Sequence, residues 1–164
     1  MRKLFLLLPF LLTAGIVWGC GDKLMLVMGV RLSQIKNHPA AILVYPVSAP
    51  SAAVIRQMPL QPALSKAGHK FQVADDATHL ADALKNGKFD LVMADVGVAD
   101  QLSEVVRSSP YHPVILPVAY NLPKADQSAA QKRFHCLLKA PSDSDHYLDA
   151  IAEAMEWKAK AARR

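Results

Sequence analysis

The chain has 164 residues, 52% of them apolar and 20% charged, with only two cysteines. That length and apolar content allow one globular domain and exclude a disordered chain, and two cysteines cannot build a disulfide scaffold. A formal charge of +5, from 19 basic and 14 acidic residues, is too small an excess to name a partner by itself.

Arg2 and Lys3 precede an apolar run from Leu4 to Leu12, and small residues follow it toward Gly19. This is the pattern of a secretory signal over residues 1–19. Val17-Trp18-Gly19 before Cys20 suits ordinary signal peptidase, and it is also similar to a bacterial lipobox in which Trp18 fits poorly. A periplasmic or secreted product is expected. Two alternatives stay open: a lipoprotein with lipid on Cys20, and an uncleaved inner-membrane anchor. The second arises because the uncharged run from Leu4 to Gly21 touches the lower limit of about 18 residues for a spanning helix. Cleavage would remove the two charges of Arg2 and Lys3, and most of the remaining excess lies at the other end, in Lys158, Lys160, Arg163 and Arg164. There the cations complement the negative end of a helix dipole, and no interleaved aromatics support nucleic-acid binding.

Residues 20–39 read as an N-terminal extension in which Leu24, Val27, Met28 and Leu32 fit either a strand or a helix. Residues 40–164 read as the folded domain. Ala40 to Tyr45 is a continuous apolar run between Pro39 and Pro46, the signature of a strand buried on both faces. Ser51 to Ala67 reads as a helix interrupted near Pro59 and Pro62 and stopped at Gly68. Lys70 to Ala74 is a second strand. Ala77 to Asn86 is a helix with Leu80 and Leu84 on one face, ended by Gly87. Phe89 to Ala94 is a third strand, followed by a short helix carrying Leu102, Val105 and Val106. Pro113 to Ala119 is the fourth strand, and the polar stretch Lys124 to Phe134 an exposed helix. His135 to Lys139 is the fifth strand. The last helix is capped by Ser142 with Asp145 three residues on, and Leu148, Ile151, Ala152 and Met155 repeat at helical spacing. Five short apolar runs separated by helices require right-handed parallel crossovers. The expected fold is a doubly wound five-stranded parallel sheet in a three-layer α/β/α sandwich.

Three stretches carry a resemblance: Asp90 to Asp95, Pro113 to Leu116, and Leu137 to Pro141 with the helix after it. In order and spacing, residues 40–158 resemble the receiver domain of bacterial two-component response regulators (CheY-like, of flavodoxin-like topology). The resemblance implies that Asp95 occupies the phospho-acceptor position and Lys139 the position of the receiver lysine, although Ala140 intrudes between Lys139 and Pro141. It also implies a Mg²⁺ site built from acidic residues at the end of the first strand together with the acceptor. Here that strand ends in Tyr45-Pro46-Val47, without a carboxylate. Asp75 and Asp76 follow the second strand, which is not where the family draws its ligands. The Ser or Thr expected at the end of the fourth strand is replaced by Val118 beside Ala119.

The remaining chemistry is sparse. His38, His69, His79, His112, His135 and His146 show no metal-ligand spacing. Cys136 reads as a small hydrophobe in a strand, with a Cys20–Cys136 disulfide conceivable in an oxidising compartment. Ser103 and Ser108 read as helix-end residues. The expectation is an exported, non-enzymatic pseudo-receiver that acts on an unidentified protein partner, without cofactor, metal or nucleic acid, meeting the membrane only through its signal segment or a lipidated Cys20. Two alternatives remain. One is a membrane-anchored receiver that still accepts phosphate on Asp95. The other is a periplasmic small-ligand binder whose crevice at the strand ends is lined by Tyr45, Asp95, Tyr120 and Lys139.

Overall fold

The computed structural model describes residues 39–46 and 60–163. The signal segment, Cys20 and the first part of the expected 51–67 helix lie outside the described residues. Along the chain come β1 (Ala41–Tyr45), α1 (Leu60–Lys66), β2 (Lys70–Val73), α2 (Ala77–Asn86), β3 (Leu91–Asp95), α3 (Ala99–Arg107), β4 (Val114–Tyr120), α4 (Lys124–Arg133), β5 (Leu138–Ala140) and α5 (Ser144–Ala161). All strand pairs are parallel, in the order β2-β1-β3-β4-β5. The expected doubly wound α/β sheet is therefore present. No described helix is long and apolar enough to cross a membrane.

Both faces of the sheet are covered, which is why its strands are apolar without alternation. On one face Ile42, Val44, Leu91, Met93, Leu116 and Leu138 pack with Leu64 of α1 and Tyr147, Ile151 and Ala154 of α5. On the other, Leu43, Val92 and Ala94 pack with Leu80 and Leu84 of α2 and Leu102 and Val106 of α3. Ala119 and Leu137 extend this second face toward Ala130 of α4.

Turn chemistry follows the residues. Gly68 ends α1 with φ +84, a left-handed conformation that glycine adopts without a Cβ penalty. Gly87 ends α2 for a different reason: its φ is −99, but a Cβ there would collide with the Phe89 ring and lie 2.7 Å from the Ala83 carbonyl. The cap of α5 differs from expectation. Asp143, not Ser142, accepts the His146 N–H at 2.9 Å, while the Ser142 N–H donates to the Tyr147 hydroxyl at 2.9 Å. A carboxylate at the N-cap is charge-assisted and suits the positive helix end better than a hydroxyl would.

The fifth strand also differs. It covers Leu138–Ala140 rather than His135 to Lys139. The cause is Pro117. In β4, Val114 N–H donates to Asp90 O, the Val118 carbonyl accepts from Val96, and Asn121 N–H donates to Ala140 O. Even-numbered residues of β4 thus face β3 and odd-numbered ones face β5. Pro117 points its missing N–H at β5, so the ladder starts only at the Val118–Leu138 pair.

The N-terminal edge of the sheet is held by two buried or half-buried polar groups. Asp90 accepts the Ala41 N–H at 3.0 Å with one oxygen and the Lys158 Nζ at 2.8 Å with the other, joining β1, β3 and α5. Burial works to raise this carboxyl, but the bonds to Lys158 and Ala41 outweigh it and hold it below its ordinary value. His69 is 6% exposed, and its Nδ1 accepts the Ala40 N–H at 3.0 Å. Its Nε2 has no hydrogen-bond partner among the described residues. Burial therefore lowers its pKa, and accepting from Ala40 requires Nδ1 to be unprotonated.

His69 makes stability fall with acidity. The unfolded chain takes a proton near the ordinary histidine value while the folded chain refuses it, so stability declines as pH drops below about 6.5, by at most about 1.4 kcal/mol per pH unit. His146 has the opposite sign: its pKa is raised by Asp143, so its contribution is present below about 6.5 and lost as pH rises. Urea unfolding at pH 7.5, 6.5 and 5.5 should give a steeper acid-side loss for the wild type than for His69→Gln, which keeps a neutral acceptor. Equal slopes would show that His69 takes up its proton as readily in the fold as in the unfolded chain.

Candidate functional site

Doubly wound sheets collect function at the C-terminal ends of their strands, and all of the sequence-predicted crevice residues lie at that rim. They do not share one side of it. Side chains alternate along a strand, and residues paired in a parallel ladder lie on the same face. Asp95 pairs with Val118, which packs into the α1/α5 core, and Tyr120 joins the same core. By this register Asp95 and Tyr120 share the α1/α5 face. Tyr45 packs into the α2/α3 core, opposite Ala94. Lys139 pairs with Ala119, whose side chain packs toward α4. Tyr45 and Lys139 therefore belong to the other face.

The intruding Ala140 accounts for the split. It pairs with Tyr120, is buried, and occupies the Asp95 face next to Pro141. Lys139, one residue earlier, is displaced to the opposite face and is exposed. A one-residue offset in a strand moves a side chain through the sheet. Val118 stands beside Asp95, at the place where the resemblance implies a hydroxyl, and its side chain supplies no hydrogen-bonding group.

The carboxylates nearby are engaged in backbone chemistry. Asp95 Oδ1 accepts the Gly97 N–H at 2.9 Å, and its carbonyl accepts the Val98 N–H, so the side chain shapes the turn from β3 into α3. A side chain at position 97 would place its Cβ 3.3 Å from that same oxygen, and the glycine leaves room for it. Asp76 caps α2, accepting the His79 N–H at 2.8 Å. Asp75 is exposed after β2. Among the described residues there is no group of three His, Cys, Asp or Glu side chains able to hold a metal ion.

Cys136 lies just before β5 and is buried; Cys20, its conceivable disulfide partner, lies outside the described residues. Ser108, the C-cap of α3, donates to the Val105 carbonyl as a helix-end serine does, whereas Ser103 lies in the middle of that helix rather than at its end and donates to the Asp100 carbonyl. The sequence reading missed the Asp90–Lys158 pair and the buried Ser109, whose hydroxyl donates to Leu84 O at 2.9 Å. Asp90 and Lys158 are separated by 68 residues in sequence, and no local pattern signals so distant a pair.

No protein-family model matches the chain, and no curated protein matches it. Its fold does match solved structures. A response regulator from Thermotoga maritima is 15% identical with a TM-score of 0.55, covering 73% of this chain and 99% of that one. The chemotaxis response regulator CheY4 of Vibrio cholerae is 22% identical with a TM-score of 0.53, covering 71% and 99%. A response regulator protein from Burkholderia pseudomallei, described with a phosphorylated aspartic acid, a calcium ion and citrate, is 18% identical with a TM-score of 0.52, covering 75% and 73%. At these identities the likeness concerns architecture: the domain has the receiver fold.

If Asp95 serves the turn, its carbonyl-like oxygen matters and its charge does not. Asp95→Asn should unfold in urea within about 0.5 kcal/mol of wild type, and Asp95→Ala should lose about 1 kcal/mol. An Asp95→Ala chain as stable as wild type would remove the turn role.

Proposed function

We propose that this chain is an exported pseudo-receiver, a non-enzymatic domain that keeps the receiver fold and acts by binding a protein partner without Mg²⁺-dependent phosphorylation. The observation that carries this reading is the division of the rim. Phosphoryl transfer to a carboxylate requires a cation-holding acidic cluster and a lysine converging on the acceptor, so that the charge on the transferring group is neutralised. Around Asp95 the neighbouring positions are Val118 and, further along the same face, Tyr120 and Ala140, while Lys139 is registered to the other side. The strand that would bring the metal-binding acids ends in Tyr45 and Pro46.

The pattern at residues 1–19 supports export. Outside the cytoplasm, neither a sensor kinase using ATP nor a metabolic phosphodonor is at hand, so a domain placed there gains nothing from an intact acceptor. What the fold retains for such a protein is a rigid scaffold with exposed helices. The partner in this reading is another polypeptide, met on those exposed helices.

Incubating the purified chain with Mg²⁺ and acetyl phosphate, then measuring its intact mass, is expected to show no added phosphoryl group. A phosphoryl adduct that disappears in Asp95→Asn would overturn the proposal in favour of an active receiver. The same mass measurement on protein from its native host should show a chain beginning at Cys20, and an intact Met1 would remove the export half of the reading.

A further inference from the structure

A cleft of about 710 Å³ opens along the outer side of β4, between α3, the residues that lead from α4 into β5, and the last turns of α5. None of Tyr45, Asp95, Tyr120 or Lys139 lines it. It exists for two reasons already visible in the chain. Pro117 stops the β4–β5 ladder, so residues 134–137 do not pair with the first half of β4. And α4, with the sequence KADQSAAQKR, buries only Ala130 and brings no large apolar side chain to fill the space.

The interior and the rim of the cleft differ in chemistry. Val106, Pro113, Ile115, Phe134 and Cys136 make an apolar lining, and Trp157 and Tyr111, each 41% exposed, flank it. Arg107 from α3, Arg133 from α4 and Lys158 from α5 also line it, and Asp100 is the one carboxylate among the described lining residues. Lys158 is committed to Asp90. Arg107 pairs with Glu104 at 3.0 Å and Arg133 with Asp100, but both pairs are exposed, and such pairs exchange partners at little cost. Two guanidinium groups are thus free to turn to a planar anion, which they bind in a bidentate fashion.

We propose that this cleft binds a monomeric single-chain amphiphile with one anionic head, of the long-chain carboxylate class, its tail in the apolar lining and its carboxylate at Arg107 and Arg133. The size falls within the roughly 300–1,000 Å³ of small-molecule sites. Most of the lining is apolar, which favours a hydrocarbon tail over a sugar.

Calorimetric titration of the full chain with dodecanoate below its micelle concentration tests this. Saturable one-to-one binding is expected, tightening up to about fourfold per added methylene. Dodecanol should bind at least tenfold more weakly, as should dodecanoate to an Arg107→Gln, Arg133→Gln chain. Ala161 is exposed on the cleft wall, so Ala161→Phe should block the cleft without disturbing the core and reduce binding by a similar factor. Equal affinity for the alcohol, indifference to Ala161→Phe, or association with phosphatidylglycerol vesicles but not with the monomer would each overturn the proposal, the last in favour of a membrane surface. The outcome does not depend on whether Asp95 accepts phosphate.

Discussion

In a sheet of parallel strands paired in register, the alternation of side chains is not a local property. Once β1 places Ile42 and Val44 toward α1 and α5, hydrogen bonding carries that choice through Leu91 and Met93 of β3 and Leu116 of β4 to Leu138 of β5. Every residue at the rim inherits a face from this core. A chemical site built at the strand ends is then a set of parity choices, and a single inserted or deleted residue in a terminal strand moves one member through the sheet. Ala140 has this effect on Lys139. The buried residues on either side, Leu138 and Ala140, hold β5 in register, since shifting the strand to recover the lysine would turn two apolar side chains outward and a charge inward.

One proline shapes the opposite side of the molecule. A proline in a sheet interior would break a ladder, and Pro117 is tolerated because its N position faces the edge, where β5 is short. The shortened pairing releases residues 134–137, and His135 stacks on Trp157 at 5.1 Å between ring centroids instead of extending the strand. The polar composition of α4 compounds the effect, because a helix with small buried residues covers an edge without filling the space beneath it. The cleft thus follows from two sequence features that each look like minor departures from an ideal α/β sandwich.

The fold was legible in the sequence because its determinants are local. Apolar runs bounded by Pro and Gly mark strands, and Leu80 with Leu84, or Ile151 with Leu148 and Met155, mark the buried sides of helices at the right spacing. The missed details have non-local causes. Nothing near His135 announces that β5 begins three residues later, since the reason sits in another strand. At α5, two acceptable caps stood side by side, and choosing Asp143 over Ser142 depended on how the backbone turned out of β5. The rim residues all lie at one end of the sheet, but periodicity within a single strand does not say which face it presents until the neighbouring strands are in register.

Net charge, the first number read from the chain, acquires a different meaning at the level of pairs. The cationic end of α5 contributes Lys158, whose partner Asp90 is the residue that also anchors the start of β1. That cation is structural: its carboxylate is held below its ordinary value and is half-buried, so the pair is shielded from the salt that screens surface charges. Arg107 and Arg133 have partners on exposed helix surfaces, where an ion pair contributes little. A uniform basic excess would suggest diffuse attraction to any polyanion. The distribution here separates one fixed lysine from two exchangeable arginines beside an apolar hollow, and that arrangement discriminates by shape and by a single head group rather than by total charge.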